Sequence, residues 1–153
     1  MITNTDEKLI RRAIALAAAA RDKGNEPFGA VLSKDGEIVM EGENRINSGF
    51  DPTYHAEIGL IRKFCTENEV TDLSEYTLYS SCEPCAMCSA AMVWAKLGRL
   101  VYSVAHEQLA VIAGSNIMVP CAEVFERSPH KPLLTERLLN EEGLKVFEGY
   151  SFE

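Results

Sequence analysis

A histidine, a carboxylate and two cysteines are the residues of this chain whose types and spacing could do chemistry. His55 and Glu57 are two residues apart, and Cys85 and Cys88 are three residues apart, directly after Pro84. Imidazole nitrogen and thiolate sulfur are common zinc ligands, and a site with three protein ligands keeps a fourth position open for water. The spacing therefore predicts a catalytic zinc site, with one Zn²⁺ per chain bound by His55, Cys85 and Cys88.

Glu57 is not needed as a fourth ligand, so its carboxylate is available to move protons. One neutral histidine and two thiolates bring the net charge of a zinc site close to zero. Such a site should acidify its water less than an all-histidine site does, so a nearby base is needed, and we expect Glu57 to be that base. The alternative is a structural Cys3His site with Cys65, Cys82 or Cys121 as fourth ligand, which leaves Glu57 without a role.

Both halves of this site are expected at the beginnings of helices. Residues 52–67 have helical spacing after a proline suited to a first turn, and Pro84 opens another helix that continues to about residue 96. Cysteines three residues apart share one face of a helix, and the positive end of the helix dipole favours their thiolate forms. The ligands are therefore predicted to converge where two helices start.

The other elements follow from turn residues and apolar spacing. Thr5 is expected to cap a first helix that ends near Gly24, and apolar runs at 30–32 and 38–40 predict a hairpin. Further predicted segments are strands at 77–79, 100–102 and 144–147 and helices at 107–113 and 133–140. This order predicts one α/β domain over residues 1–153, a three-layer α/β/α fold with a mixed sheet. We expect Trp94 in the core or a dimer interface, and His106 and His130 in contact with solvent.

Composition and charge narrow the classes of function. The 153 residues are 46% hydrophobic and 25% charged, which is typical of a globular domain, and the formal net charge is −8. An acidic protein gains little from phosphate backbones, so nucleic acid is not expected as a partner. The longest apolar run, residues 13–20, is too short to span a membrane. Five cysteines, three of them within residues 82–88, fit metal binding in a reducing compartment, so we expect a cytoplasmic location.

Four stretches between residues 27 and 88 resemble the cytidine/deoxycytidylate deaminase superfamily, and the likeness extends to about Tyr102. The stretches are Pro27-Phe28-Gly29-Ala30-Val31, Gly42-Glu43-Asn44-Arg45, Asp51-Pro52-Thr53-Tyr54-His55-Ala56-Glu57-Ile58 and Thr77-Leu78-Tyr79-Ser80-Ser81-Cys82-Glu83-Pro84-Cys85-Ala86-Met87-Cys88. Within this superfamily the chain is most similar to bacterial guanine deaminases, followed by tRNA adenosine deaminases and fungal-type cytosine deaminases. The resemblance implies a cytidine deaminase-like fold with a five-stranded mixed sheet.

The resemblance also implies roles for individual residues. His55, Cys85 and Cys88 would bind zinc, and Glu57 would carry a proton from water to a ring nitrogen and then to the leaving amine. Asn44 matches a substrate-binding asparagine, and Phe28 matches an aromatic residue that packs on the base. A homodimer is implied as well, together with a C-terminal tail, residues 144–153, exchanged between subunits. Tyr150, Phe152 or Glu153 of that tail could then close a neighbour's pocket.

One departure from the guanine deaminases concerns the substrate. Those enzymes are expected to carry a carboxylate after the fourth strand that reads the N–H groups of the base, whereas this chain has Gly114-Ser115-Asn116-Ile117. Asn116 offers only a neutral carbonyl there. We therefore expect a zinc-dependent hydrolytic deaminase of a free nucleobase or related aminated heterocycle, with a guanine-like purine favoured, or cytosine or isocytosine. The alternatives are a tRNA adenosine deaminase and a non-catalytic zinc-stabilised binding domain.

Overall fold

Five strands form one mixed sheet at the centre of the structure, a computed structural model that describes residues 1–114 and 116–152. The strands are β1 Gly29–Lys34, β2 Glu37–Glu43, β3 Thr77–Cys82, β4 Arg99–Val104 and β5 Leu133–Thr135. Their order across the sheet is β2-β1-β3-β4-β5. β1 is antiparallel to both β2 and β3, whereas β3, β4 and β5 are parallel to one another. The predicted five-stranded mixed sheet is confirmed.

Helices cover both faces of this sheet. They are α1 Asn4–Asp22, α2 Ile46–Gly49, α3 Ala56–Asn68, α4 Ala86–Trp94, α5 His106–Ala113, α6 Cys121–Glu126 and α7 Asn140–Leu144, with a 3₁₀ turn at Lys145–Phe147. Side chains alternate along β1, so Val31 packs with Leu9 and Leu16 of α1, and Leu32 belongs to the core formed with α3 and α4. The predicted three layers are present.

The first helix begins two residues earlier than predicted. Thr3 is the cap: its hydroxyl accepts the backbone N–H of Asp6 at 3.1 Å, and the Asp6 carboxylate accepts the backbone N–H of Thr3 at 3.0 Å. This reciprocal capping box needs an acceptor three residues after the cap. Thr5 is followed at that distance by Lys8, which has no acceptor, so the prediction of Thr5 as cap was wrong.

Asp6 also links the first helix to the sheet. Tyr79 Oη donates to Asp6 Oδ1 at 2.6 Å, and Arg99 Nη1 donates to the same oxygen at 2.8 Å. Burial by itself raises the pKa of Asp6, but the hydrogen bonds from Arg99, Tyr79 and the Thr3 backbone outweigh it and lower the pKa from 3.8 to about 2. The cluster Asp6, Tyr79 and Arg99 therefore holds a stable buried charge pair, with Arg99 at the amino end of β4.

The helix containing Glu57 begins later than predicted. An Asx turn precedes it, in which Asp51 Oδ1 accepts both the backbone N–H and the hydroxyl of Thr53, at 2.9 and 2.7 Å. These bonds compete with helical ones, so α3 starts at Ala56 instead of residue 52.

The last third of the chain differs most from the prediction. Residues 133–135 form β5, where a helix was predicted, and residues 140–147 are helical, where a strand was predicted from residue 144. β5 pairs with β4 through Leu133 opposite Arg99 and Thr135 opposite Val101. The open edge of β4 offered backbone hydrogen bonds to a segment of weak local preference, and this tertiary contact decided its conformation.

Three side chains outside the sheet also differ from expectation. Trp94 is 82% exposed, so its placement in the core was wrong, and a role in a dimer interface stays a prediction. His106 is buried, not solvated, whereas His130 is half-buried with Nε2 2.7 Å from the carbonyl oxygen of Leu97. In the described part of the chain, no helix combines the length and apolar character needed to cross a membrane.

Candidate active site

The predicted metal ligands lie where two helices begin, beside the carboxyl end of β3. His55 is the residue that precedes α3, and Cys85 is the residue that precedes α4. The start of α3 approaches β2 closely: a Cβ on Gly42 would lie 2.8 Å from the carbonyl oxygen of Ala56. Only glycine fits at this contact, so the strand and the first turn of α3 are held together where His55 projects.

The three ligand atoms lie at distances that suit zinc. His55 Nδ1 lies 3.5 Å from Cys85 Sγ and 3.7 Å from Cys88 Sγ. Zinc bonds of about 2.0–2.1 Å to nitrogen and about 2.3 Å to sulfur place tetrahedral N and S ligands roughly 3.5 Å apart. Among the described residues, only these three form such a group, with all ligand atoms within 4.8 Å. The third cysteine that a structural Cys3His site requires as its fourth ligand does not join them.

Ionisation within this cluster favours a bound cation. Contact with Cys88 and with His55, opposed by burial, lowers the pKa of the Cys85 thiol to about 4. The same contact with Cys85, together with burial, raises the pKa of Cys88, and the contact with Cys85 raises the pKa of His55. One thiolate therefore forms readily, and a metal ion would be needed to displace the remaining protons.

Glu57 is a buried carboxylate next to this cluster. Burial raises its pKa above the ordinary value, and the hydrogen bond from Ser80 only partly offsets this effect. Ser80 Oγ lies 2.6 Å from Glu57 Oε1 and 2.6 Å from the carbonyl oxygen of Cys82. One hydroxyl proton cannot serve both acceptors. The contact therefore suits both forms of Glu57, because neutral Glu57 can donate to Ser80 while Ser80 donates to Cys82.

A second buried glutamate, Glu83, holds the backbone next to the site through hydrogen bonds. Glu83 Oε1 accepts the backbone N–H of His106, and Oε2 accepts that of Cys121, each at 2.9 Å. His106 begins α5 and Cys121 begins α6, so one carboxylate holds both helix starts next to Pro84 and Cys85. Both Glu83 oxygens are thus occupied by the backbone, and this residue has a structural task.

A cavity of about 530 Å³ opens beside the cluster, within the usual size range of small-molecule sites. It is lined by Glu26, Phe28, Ile46, Pro52, His55, Glu57, Glu83, Cys85, Leu109, Ala113, Asn116 and Phe152. No lysine or arginine occurs among these lining residues, whereas three of them are glutamates. The electrostatics therefore favour an uncharged ligand, or one rich in N–H donors, over a phosphate-bearing one.

The predicted substrate residues are divided between the cavity and its surroundings. Phe28 lines it, with its ring 5.9 Å from that of Phe147 and 6.1 Å from that of Phe152. Asn116 also lines it, but its Oδ1 accepts the backbone N–H of Ile117. Asn44 is buried and its Oδ1 accepts the backbone N–H of Ile46 at 3.0 Å. Their contacts with a substrate stay predictions.

Tyr150 lies behind the cavity wall in the C-terminal tail. Its ring contacts Phe152, with centroids 4.8 Å apart, and the Arg21 guanidinium lies 5.5 Å from its centroid. Phe152, not Tyr150, reaches the cavity of the same chain. Exchange of the tail between subunits stays a prediction; Ser115 and Glu153, which belonged to the sequence arguments, lie outside the described residues.

Sequence reasoning missed three residues of this site. Ser80 was part of the quoted strand motif and Glu83 preceded Pro84, but neither has a spacing that indicates a hydrogen-bond partner. Glu26 immediately precedes the Pro27-Phe28 run, and its position next to the cavity depends on how β1 and α2 meet. An acidic residue beside a motif was the only available signal.

Known proteins are similar to this chain in sequence. A guanine deaminase from Bacillus subtilis (strain 168) is 42% identical over 105 residues, covering 68% of this chain and 67% of that protein. A probable cytosine deaminase from Schizosaccharomyces pombe is 38% identical over 112 residues, covering 71% of this chain and 65% of that protein. The chain thus matches about two thirds of the length of these relatives.

A solved structure of a tRNA:A34 deaminase is related over a longer stretch. It is 28% identical with a TM-score of 0.79, and the match covers 91% of this chain and 98% of that one. The family model for the cytidine and deoxycytidylate deaminase zinc-binding region matches residues 3–104, which include every predicted metal ligand and Glu57. With its His55, Cys85 and Cys88 cluster and its mixed sheet, this chain belongs to the cytidine and deoxycytidylate deaminase family of zinc-binding enzymes.

Proposed function

We propose that this protein hydrolyses the exocyclic amine of a free nucleobase or a related aminated heterocycle, with a guanine-like purine favoured over cytosine or isocytosine. The observation that carries the proposal is the cavity, which joins the His55, Cys85 and Cys88 cluster and Glu57 to a wall without lysine or arginine. A neutral base fits such a cavity, whereas the phosphates of a nucleotide or an RNA backbone would meet three glutamates and no lysine or arginine among the lining residues. The guanine and cytosine deaminase relatives support the same substrate class.

The chemistry requires a nucleophile, a proton carrier and an orienting wall. Zinc held by His55, Cys85 and Cys88 would supply a water molecule of lowered pKa at its open position. Oxygen from that water bonds to the ring carbon, the carbon–nitrogen bond breaks, and ammonia leaves. Glu57 accepts one proton from the attacking water and delivers it to the ring nitrogen, and it then transfers the second proton, from the newly bonded hydroxyl, to the leaving amine. Its raised pKa suits this task, because burial makes the neutral form of the carboxyl group easier to reach, and the group has to accept and then donate a proton.

Phe28 and Phe152 are the two phenylalanines among the residues that line the cavity. Both rings line the cavity and belong to a cluster of three aromatic rings with Phe147. A flat heterocycle gains from contact with such a surface, and exclusion of water strengthens the interactions of Glu57 inside the cavity. We assign Phe28 to packing against the base; Asn44 and Asn116 are proposed as further substrate contacts.

A base panel tests the proposal. Purified protein, with its zinc content measured, would be assayed for ammonia release from guanine, cytosine, isocytosine, an aminated triazine and an aminated pterin. We expect turnover of at least one of these bases and no turnover after the metal is removed by a chelator. Activity that is lost on chelation and restored by Zn²⁺ would also exclude the non-catalytic binding domain. Stable zinc with no ammonia from any base would overturn the proposal.

A tRNA adenosine is the second candidate substrate, favoured by the long match to the tRNA:A34 deaminase. The net charge of −8 and the acidic cavity oppose it. An anticodon stem-loop containing adenosine at the wobble position, assayed for inosine at two salt concentrations, separates the two candidates. Efficient, salt-sensitive inosine formation without turnover of any free base would replace our proposal by this one.

The oligomeric state and the cellular location of the protein are further parts of the proposal. We infer a cytoplasmic homodimer with one zinc per chain, in which residues 144–153 contribute to closing a pocket. Light scattering with metal analysis checks the stoichiometry, and deletion of residues 148–153 checks the tail. A monomer with full activity would contradict the dimer.

A further inference from the structure

Among the three glutamates that line the cavity, only Glu26 leaves both carboxylate oxygens open to a ligand. Glu83 uses its two oxygens on the backbone of His106 and Cys121, and Glu57 is bonded to Ser80. In the part of the chain that the structure describes, no group donates a hydrogen bond to the Glu26 side chain. Glu26 is half-buried, and burial raises its pKa, so this carboxylate is held in the cavity wall at an energetic cost.

The segment around Glu26 is fixed by its neighbours on both sides. Asn25 is buried, and its Oδ1 accepts the backbone N–H groups of Asn47 and Ser48 at 3.1 and 2.9 Å, which ties the segment to α2. On the other side, the backbone N–H of Phe28 donates to the carbonyl oxygen of Glu26 at 2.9 Å. The backbone of Glu26 is therefore fixed on the same wall as Phe28, so only its side chain has to be ordered on binding.

We propose that Glu26 is a specificity-determining residue whose carboxylate accepts hydrogen bonds from ring N–H groups of the bound heterocycle. The proposal rests on the proposed function and names how its substrate is recognised. Asn116 also lines the cavity, but its Oδ1 is bonded to the backbone of Ile117. Glu26 supplies an acceptor from the opposite end of the chain, beside Phe28.

The Glu26 carboxylate can form hydrogen bonds only with certain heterocycles. A carboxylate accepts hydrogen bonds and donates none, so it favours a heterocycle edge that carries N–H groups and disfavours one that carries only acceptors or a methyl group. Guanine and isocytosine both have ring N–H groups in addition to the amine that leaves. Their N-methylated analogues lose one donor each and keep the reacting carbon.

The test combines these ligand pairs with substitutions of Glu26. Guanine, 1-methylguanine and 9-methylguanine, and isocytosine with its N-methyl analogue, would be compared in wild type, Glu26→Gln and Glu26→Ala. We expect wild type to prefer one parent base over a methylated analogue, and Glu26→Ala to reduce that preference by about 10-fold to 100-fold. Glu26→Gln, which keeps a neutral acceptor, should lie between them. The loss should fall mainly on KM and on the equilibrium affinity measured by calorimetry.

Controls separate recognition from structural effects. Glu37→Gln removes a carboxylate from an exposed position on β2 and should leave every ratio unchanged. Zinc content should equal that of wild type in all variants, because Glu26 is not a ligand. If wild type deaminates a base and Glu26→Ala slows parent and methylated bases by the same factor, the recognition role is wrong while the proposed function stands. If wild type neither binds nor deaminates any base of this set or of the larger panel that tests the proposed function, both are overturned.

Discussion

The two ends of the central sheet each bury a charged cluster, but the clusters are built in opposite ways. At the amino end of β4, Asp6 is satisfied by Arg99, Tyr79 and the Thr3 backbone, and its pKa falls to about 2. Beside the carboxyl end of β3, Glu57 has one hydrogen-bonding side chain, Ser80, and its pKa rises. The first carboxylate is paired with an opposite charge, whereas the second has only a hydroxyl as its side-chain partner, as the proton-transfer role that we propose for it requires.

The two carboxylates differ in whether a positively charged side chain lies next to them. Arg99 gives Asp6 an opposite charge, whereas no lysine or arginine lines the cavity beside Glu57. A carboxylate that is fully paired cannot easily change its protonation state, while one that is buried beside a hydroxyl can. The comparison predicts that substitutions at the two ends will separate stability from activity.

Replacing Glu57 by Gln should produce the largest effect, a loss of about 10³-fold in kcat, because an amide cannot carry the proton. Zinc content should stay at the wild-type level, and the free energy of unfolding should be unchanged or higher, since a buried ionisable group is removed. Steady-state assays, metal analysis and urea unfolding measure the three quantities. Glu67→Gln, on the exposed side of the same helix, is the control; normal turnover by Glu57→Gln would contradict the proton-transfer role.

At the opposite end, Asp6→Ala should lower the free energy of unfolding by about 3 kcal/mol, because it leaves Arg99 and Tyr79 without their buried partner. Activity per folded molecule should not change. The exposed Asp22, near the end of α1, gives the matched control variant Asp22→Ala. Equal stability of the two variants would show that the Asp6 cluster contributes little.

The stability contribution of Asp6 should depend on pH in a defined direction. Its pKa is lowered in the folded state from 3.8 to about 2, so the contribution is fully present above pH 4 and is lost as the pH falls toward 2. This part amounts to about 2 kcal/mol. Urea unfolding of wild type and Asp6→Ala between pH 6 and pH 2 should show the two curves converging at the acidic end; a constant difference would be inconsistent with the lowered pKa.

Ser80→Ala is expected to have the smallest effect, a loss of about tenfold in kcat, because Glu57 loses the hydroxyl that accommodates both of its protonation states. The pH profile of kcat should shift as well, which a purely structural defect would not cause. Ser103→Ala removes another buried hydroxyl, bonded to the carbonyl oxygen of Leu139, and serves as control. An unchanged pH profile in Ser80→Ala would contradict this role.

Local patterns in the sequence were sufficient to predict the β1–β2 hairpin and the residues of the candidate metal site. The hairpin of β1 and β2 was predicted from apolar runs around a turn, and the three proposed metal ligands, which the structure brings together, were predicted from their types and spacing. The failures occurred where local preference was weak. β5 was predicted as part of a helix, and its conformation depends on the open edge of β4, which no local pattern reveals.

The sequence by itself determined the reaction class, because histidine, glutamate and two cysteines at these spacings lie in a stretch that matches the zinc-binding region of a deaminase family. Only the tertiary structure decided which other groups share the cavity with them. It brought Glu26 from the segment before β1 and Phe152 from the C-terminal tail to one wall, and it left Trp94 exposed. The physical reason is that metal ligands are recognised by residue type and spacing, whereas a cavity wall is assembled from distant segments by packing.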